Sequence, residues 1–181
     1  GMADDADTPI PLVLLFPEIP FDEAAFLAAV DAKTRAHGYC CVGVSEGLQN
    51  ARGGLMAEAG TKDAFGHAQL GGVGPLIANL VKDRLGYKVH WAVADYLQRA
   101  ARHIASKTDV EQSYAVGRAA VEYALAGKNA VMAAITRVSD RPYRWKITAA
   151  PLSKVANVEK MLPRDFIARD GYGITAKARA Y

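Results

Sequence analysis

The stretch LVLLFPEIPFDEAAFLAAVDAKTRAHGYCCVGVSEG, residues 12–47, decides the fold. Leu12 to Phe16 is a compact apolar run closed by Pro17, which reads as a short strand, buried on both faces if its sheet is parallel. Asp22 is placed to cap a helix, Phe26, Leu27 and Val30 supply its apolar stripe, and Gly38 stops it. Tyr39 to Val44, β-branched and aromatic, then predicts a second strand, so the stretch is a βαβ unit with a right-handed crossover. Glu46 stands directly at the carboxyl end of that second strand.

Working outward, the residues from Gly47 to Gly74 are glycine-rich and mixed in polarity, and predict a long covering or functional loop. A helix follows from about Pro75 to Leu85, with proline in its first turn and Gly86 at its stop. Val89 to Ala94 predicts a third strand, which breaks into the polar tetrad Tyr96-Leu97-Gln98-Arg99. Thr108 or Asp109 caps a helix to about Ala126 whose inner face carries Val110, Tyr114, Gly117, Ala120, Val121 and Leu125. Val131 to Val138 and Arg144 to Ile147 predict a hairpin turning at Ser139 to Pro142. From Leu152 the periodicity is weak and short helical turns are expected. Gly1-Met2 looks like a tag-cleavage scar and residues 1–11 like a flexible lead-in, which leaves a single domain over 12–181. Strands alternating with helices argue an α/β fold, a three-layer, mainly parallel sheet flanked by helices.

Composition excludes several classes. A chain of 181 residues is long enough to bury roughly 70% of its unfolded surface. With 51% hydrophobic and 23% charged residues, it is neither disordered nor fibrous. Its apolar runs fall far short of the ~18 residues of a membrane span, and no signal segment opens it, so a soluble protein without a membrane partner is expected. Cys40 and Cys41 are adjacent, so in a strand they point to opposite faces and do not bridge each other. They read as reduced thiols of a cytoplasmic protein. Lysine and arginine exceed aspartate and glutamate by 22 to 19, scattered rather than in runs, which argues against a nucleic-acid partner.

Open α/β sheets bind ligands beyond the carboxyl ends of their strands, where Glu46 and Tyr96 to Arg99 stand. An arginine fork suits a phosphate ester, and a carboxylate suits sugar hydroxyls. Spacing alone equally allows Arg99 to be a solvated residue opening a basic stretch with Arg102 and Lys107, and Glu46 a surface carboxylate. His67 lies in Gly66-His67-Ala68-Gln69-Leu70-Gly71-Gly72, which lacks the lysine and hydroxyl residue of a P-loop and reads as a structural loop. His37, His90 and His103 show no metal-ligand spacing. Lys154, Lys160 and Arg164 read as a dispersed, solvated basic face.

Pro17-Glu18-Ile19-Pro20-Phe21, Val44-Ser45-Glu46-Gly47, Tyr96-Leu97-Gln98-Arg99 and Leu152-Ser153-Lys154-Val155-Ala156-Asn157, taken in this order and spacing, resemble the carboxyl-terminal half of a 6-phosphofructokinase. The bacterial diphosphate-dependent branch is the more similar one. The resemblance implies a Rossmann-like phosphofructokinase domain binding fructose 6-phosphate, whose 1-hydroxyl receives a phosphoryl group from diphosphate or ATP in glycolysis. It implies that Glu46 meets the sugar hydroxyls and Arg99 forks the 6-phosphate. Tyr96 would stand where ATP-using relatives carry a histidine, with Gln98 or the backbone at Leu97 completing the cradle. The family's Gly-Gly-Asp-Gly, Thr-Ile-Asp-x-Asp and Met-Gly-Arg motifs are absent, so catalytic residues and magnesium are expected in the missing amino-terminal half. Alone the chain should not catalyse, and the full enzyme should be at least a homodimer. A non-catalytic sugar-phosphate or effector-binding module is the alternative, supported by Glu18 at the end of the first strand. A glutamate at that place in ATP-using relatives belongs to an effector site.

Overall fold

The structure, a computed structural model, describes residues 7–56, 58–62, 68–70, 72–94, 96 and 100–181, without the side chains of 58–62, 68–70 and 102. Its residues group into two compact units, Gly1–Val93 with Met161–Tyr181, and Ala94–Lys160.

In the first unit, β1 (Leu12–Leu15) pairs in parallel with β2 (Cys41–Val44), in the register Leu12 to Cys41 through Leu15 to Val44. Strand alternation sends Val13 and Leu15 into the core and leaves Leu12 and Leu14 half-buried. Between the strands runs α1 (Glu23–His37), as the capping signals predict. The Asp22 carboxylate accepts the Ala25 amide at 2.9 Å. At the other end Gly38, at φ 82°, donates its amide to the Thr34 carbonyl, a conformation glycine adopts without the Cβ penalty. The second helix, α2 (Val73–Leu85), starts two residues earlier than expected and stops at Gly86. Its buried Val73, Ile77 and Val81, at i, i+4 and i+8, join Phe26 and Val30 of α1, Val13 and Leu15 of β1, and Leu48 in one cluster.

Two polar links tie α1 to α2 and the chain after it. Arg84 meets Glu23 at 3.1 Å, and the Tyr87 hydroxyl donates to Asp31 at 2.6 Å. The Tyr87 hydrogen bond, and after it Arg35, holds the Asp31 carboxyl below its ordinary value. A depressed carboxyl stabilises the fold fully above its unfolded value, near pH 3.9. That contribution is lost as the pH falls through the folded value. Tyr87→Phe is therefore expected to move the Asp31 titration upward, read by the carboxyl carbon shift against pH; an unmoved midpoint would show that the hydroxyl contributes nothing.

Several expectations are corrected. The loop from Gly47 to Gly74 holds an antiparallel pair, β3 (Glu58–Lys62) with β4 (Ala68–Leu70), and a bridge from Gln49 to Leu55. Glu58-Ala59-Gly60-Thr61-Lys62 has too few β-branched or aromatic residues to announce a strand. Residues 63–67, which include His67, lie outside the described ones. Val89–Ala94 is not a strand: 86–94 carry no ladder, and Trp91 and Val93 are more than half exposed. A strand needs a partner edge, and Val89, His90 and Trp91 instead line a cavity of about 690 Å³, together with Cys40, Val42 and Val44 at β2. Cys40 and Cys41 are free and half-buried, and burial pushes the Cys40 thiol up.

The tail forms the expected short turns, 3-10 segments at Leu152–Lys154 and Arg164–Phe166. Within the first unit it also does what its weak periodicity did not announce. Ile167 is buried and bridges to Ile174, and the Leu14 amide of β1 donates to the Tyr172 carbonyl at 2.9 Å.

The second unit contains α3 (Lys107–Leu125), capped by Ser106 through the Asp109 amide, and a hairpin of β5 (Val131–Asp140) with β6 (Tyr143–Pro151). The hairpin is longer at both ends than predicted, with an irregularity in register between Arg137 and Ser139. The predicted inner face of α3 is corrected. Val110, Tyr114, Gly117, Ala120, Val121 and Leu125 are all exposed, while Gln112 and Ala119 are the buried positions. The Gln112 amide donates to the Tyr143 hydroxyl at 2.6 Å, so α3 meets the hairpin through a polar contact. Periodicity detects a stripe without saying what covers it. A five-residue helix, α4 (Ala176–Ala180), closes the chain in the first unit.

Candidate functional site

Glu46 sits on a tight turn at the carboxyl end of β2, with its side chain exposed. The turn is built locally. The Gly47 amide donates to the Ser45 hydroxyl at 3.2 Å, and the Leu48 amide to the Ser45 carbonyl at 3.1 Å. Leu48, 1% exposed, anchors the turn in the core, and its carbonyl accepts the Met56 amide at 2.9 Å. A solvated carboxylate at a strand end can exchange its water for the hydroxyls of a polyol, one hydrogen bond for another. Sequence reasoning missed Leu48 as the buttress; its signal was an isolated apolar residue just after the Gly47 turn.

Tyr96 lies in the second unit and is 66% exposed. Its carbonyl accepts the Ala100 amide at 2.9 Å. Leu97, Gln98 and Arg99 lie outside the described residues, so Glu46 and Tyr96 are the two expected site residues given positions, each within its own unit.

Glu18, noted beyond the first strand, is a tether. One carboxylate oxygen accepts the Leu162 amide at 2.8 Å, and the other is buried without a hydrogen-bond partner. Close by, Leu15, Phe16, Ile19, Pro20, Phe21, Asp22 and Tyr172 are among the residues lining a cavity of about 200 Å³. Burial, then the neighbouring Asp22 and Asp170, push the Tyr172 phenol up.

Among the described residues no three histidine, cysteine, aspartate or glutamate side chains converge. No described helix is long and apolar enough to cross a membrane.

No family model matches the chain. Individual proteins do. Over all 181 residues it is 64% identical to the pyrophosphate–fructose 6-phosphate 1-phosphotransferase of Methylococcus capsulatus, covering 43% of that protein. It is 57% identical over 181 residues to the enzyme of the same name from Halomonas elongata, again covering 43%. The crystal structure of a pyrophosphate-dependent phosphofructokinase from Nitrosospira multiformis superposes with a TM-score of 0.78 at 53% identity, over 99% of this chain and 42% of that one. Along its whole length the chain matches a portion of a pyrophosphate-dependent phosphofructokinase. It spans less than half the length of these relatives. The α/β class expected from residues 12–47 is thus the phosphofructokinase fold, and the parallel pair β1–β2 with α1 and α2 is its part in the first unit. Glu46 follows β2 on its turn, as its place in the sequence predicts.

Proposed function

We propose that this chain is the sugar-phosphate-binding portion of a pyrophosphate-dependent 6-phosphofructokinase. In that reading the full-length enzyme transfers a phosphoryl group from diphosphate to the 1-hydroxyl of fructose 6-phosphate, a cytoplasmic step of glycolysis. The observation that carries the proposal is the match at 64% identity along the entire chain to a pyrophosphate–fructose 6-phosphate 1-phosphotransferase.

Glu46 accepts hydrogen bonds from the sugar hydroxyls, and its exposed place at the end of β2 leaves it free to do so. Arg99 forks the 6-phosphate with two parallel donors, Tyr96 donates its phenol, and Gln98 and the Leu97 amide close the cradle. Such contacts orient the acceptor hydroxyl; in phosphoryl transfer, positioning and charge stabilisation are the protein's main contributions. The groups that hold diphosphate and magnesium are assigned to the part of the enzyme outside this chain. Assembly into at least a homodimer is expected of the full-length enzyme, and light scattering reporting a monomer would contradict it.

Calorimetry of fructose 6-phosphate binding to the full-length protein tests the proposal. Arg99→Ala removes charge-assisted hydrogen bonds worth roughly 1.5–3 kcal/mol each, so affinity is expected to fall on the order of 10- to 100-fold or more. Unchanged affinity in the variant would sink the assignment. The non-catalytic module is separated more simply. Gly-Gly-Asp-Gly and Thr-Ile-Asp-x-Asp motifs in frame upstream of Met2 in the gene would defeat it.

A further inference from the structure

The second unit has almost no interior of its own. Among the described residues of Ala94–Lys160, Gln112 and Ala119 alone are buried, and the apolar cluster of the protein draws none of its members from this unit. Yet α3 is patterned as a core helix. Val110 is 40% exposed, Tyr114 76%, Val121 60% and Leu125 85%, and their spacing of four, seven and four residues puts them on one face. Gly117 lies on the same stripe, and a Cβ added there meets nothing within 4 Å. The charges flanking the stripe are neutralised in pairs along the helix, Lys107 with Glu111 and Arg118 with Glu122.

A helix that exposes an ordered apolar stripe lacks a covering layer. The relatives indicate where it comes from: they contain the whole of this chain, at 57–64% identity, as 43% of a longer polypeptide. We infer that the α3 face bearing Tyr114, Val121 and Leu125 is an internal interface, covered by the part of a phosphofructokinase polypeptide that lies outside this chain. The inference rests on the proposed reading of the chain as one portion of such an enzyme, and it adds which surface joins the portions. The Ala94–Lys160 unit would then be one wall of a core shared between the two.

Thiol labelling tests this. Tyr114→Cys and Leu125→Cys are made separately in the 181-residue chain and in a chimaera in which this chain replaces the matching stretch of the Methylococcus capsulatus relative. The parent's reaction at Cys40 and Cys41 is the baseline, and Arg52→Cys, on an exposed loop of the first unit, is the control. Both α3 thiols are expected to react with a maleimide at the control's rate in the chain alone, and roughly tenfold or more slowly in the chimaera. The control should react equally in both. Fast labelling in the chimaera overturns the inference. So does slow labelling in the isolated chain that speeds up on dilution, because a second copy would then be the occupant. Neither readout involves sugar phosphate, so an unchanged affinity on Arg99→Ala would refute the ligand assignment and leave the interface standing.

Discussion

Replacing Phe26 with alanine is expected to destabilise the protein by about 3–5 kcal/mol. Phe26 is fully buried and belongs to the cluster that joins β1, α1 and α2. Its ring meets Phe21 at 5.4 Å between centroids, tilted by 51°, so the change removes an aromatic pair as well as leaving a void. Because domain stabilities are on the order of 5–15 kcal/mol, this is a large share of the total. Urea unfolding followed by far-UV dichroism should show the midpoint falling by about 1–5 M, for a slope of roughly 1–3 kcal/mol per molar. A fall under about 0.5 M would mean that this cluster is not the structural centre of the first unit.

The second large effect is expected at Leu48. Leu48→Ala deletes a side chain 1% exposed, at a cost of about 2–5 kcal/mol. Leu48 also secures the Ser45–Leu48 turn that carries Glu46, so the loss should reach the ligand. In the full-length protein, fructose 6-phosphate affinity should weaken together with stability. Leu48→Met keeps volume and should cost less than about 1.5 kcal/mol while sparing affinity. Loss of stability with full affinity retained would show that Glu46 is positioned by something other than this buttress.

The parts of the fold legible in the sequence are those whose signals are local. Asp22 and Gly38 bracket α1 because capping is a matter of a few bonds within a turn, and the apolar runs Leu12–Phe16 and Tyr39–Val44 contain β1 and β2 to within two residues at each end. Signals that need a distant partner failed. Val89 to Ala94 has a strand's composition without a paired neighbour among the described residues. The stripe at Val110, Tyr114, Val121 and Leu125 has a core's spacing and faces outward, because helical period identifies a face without supplying what lies against it. The Glu58–Lys62 strand was invisible because its pairing with Ala68–Leu70, rather than its composition, defines it. Of the candidate site, the position of Glu46 was legible from the strand before it. The turn that fixes Glu46 in place depends on Leu48, whose burial becomes visible only when α1 and α2 close over it.

The bond from the Leu14 amide to the Tyr172 carbonyl makes the final stretch of the chain a seal. β2 occupies one side of β1, and the segment from Ile167 to Ile174 lies against the other, while Glu18 pins the start of that stretch through the Leu162 amide. Uncovered strand edges recruit foreign strands. A proteolytic nick or premature stop before Met161 strips this cover along with the pin, and turns a closed margin of the sheet into an adhesive one. Damage within residues 161–181 is thus felt at β1, as a gain of stickiness.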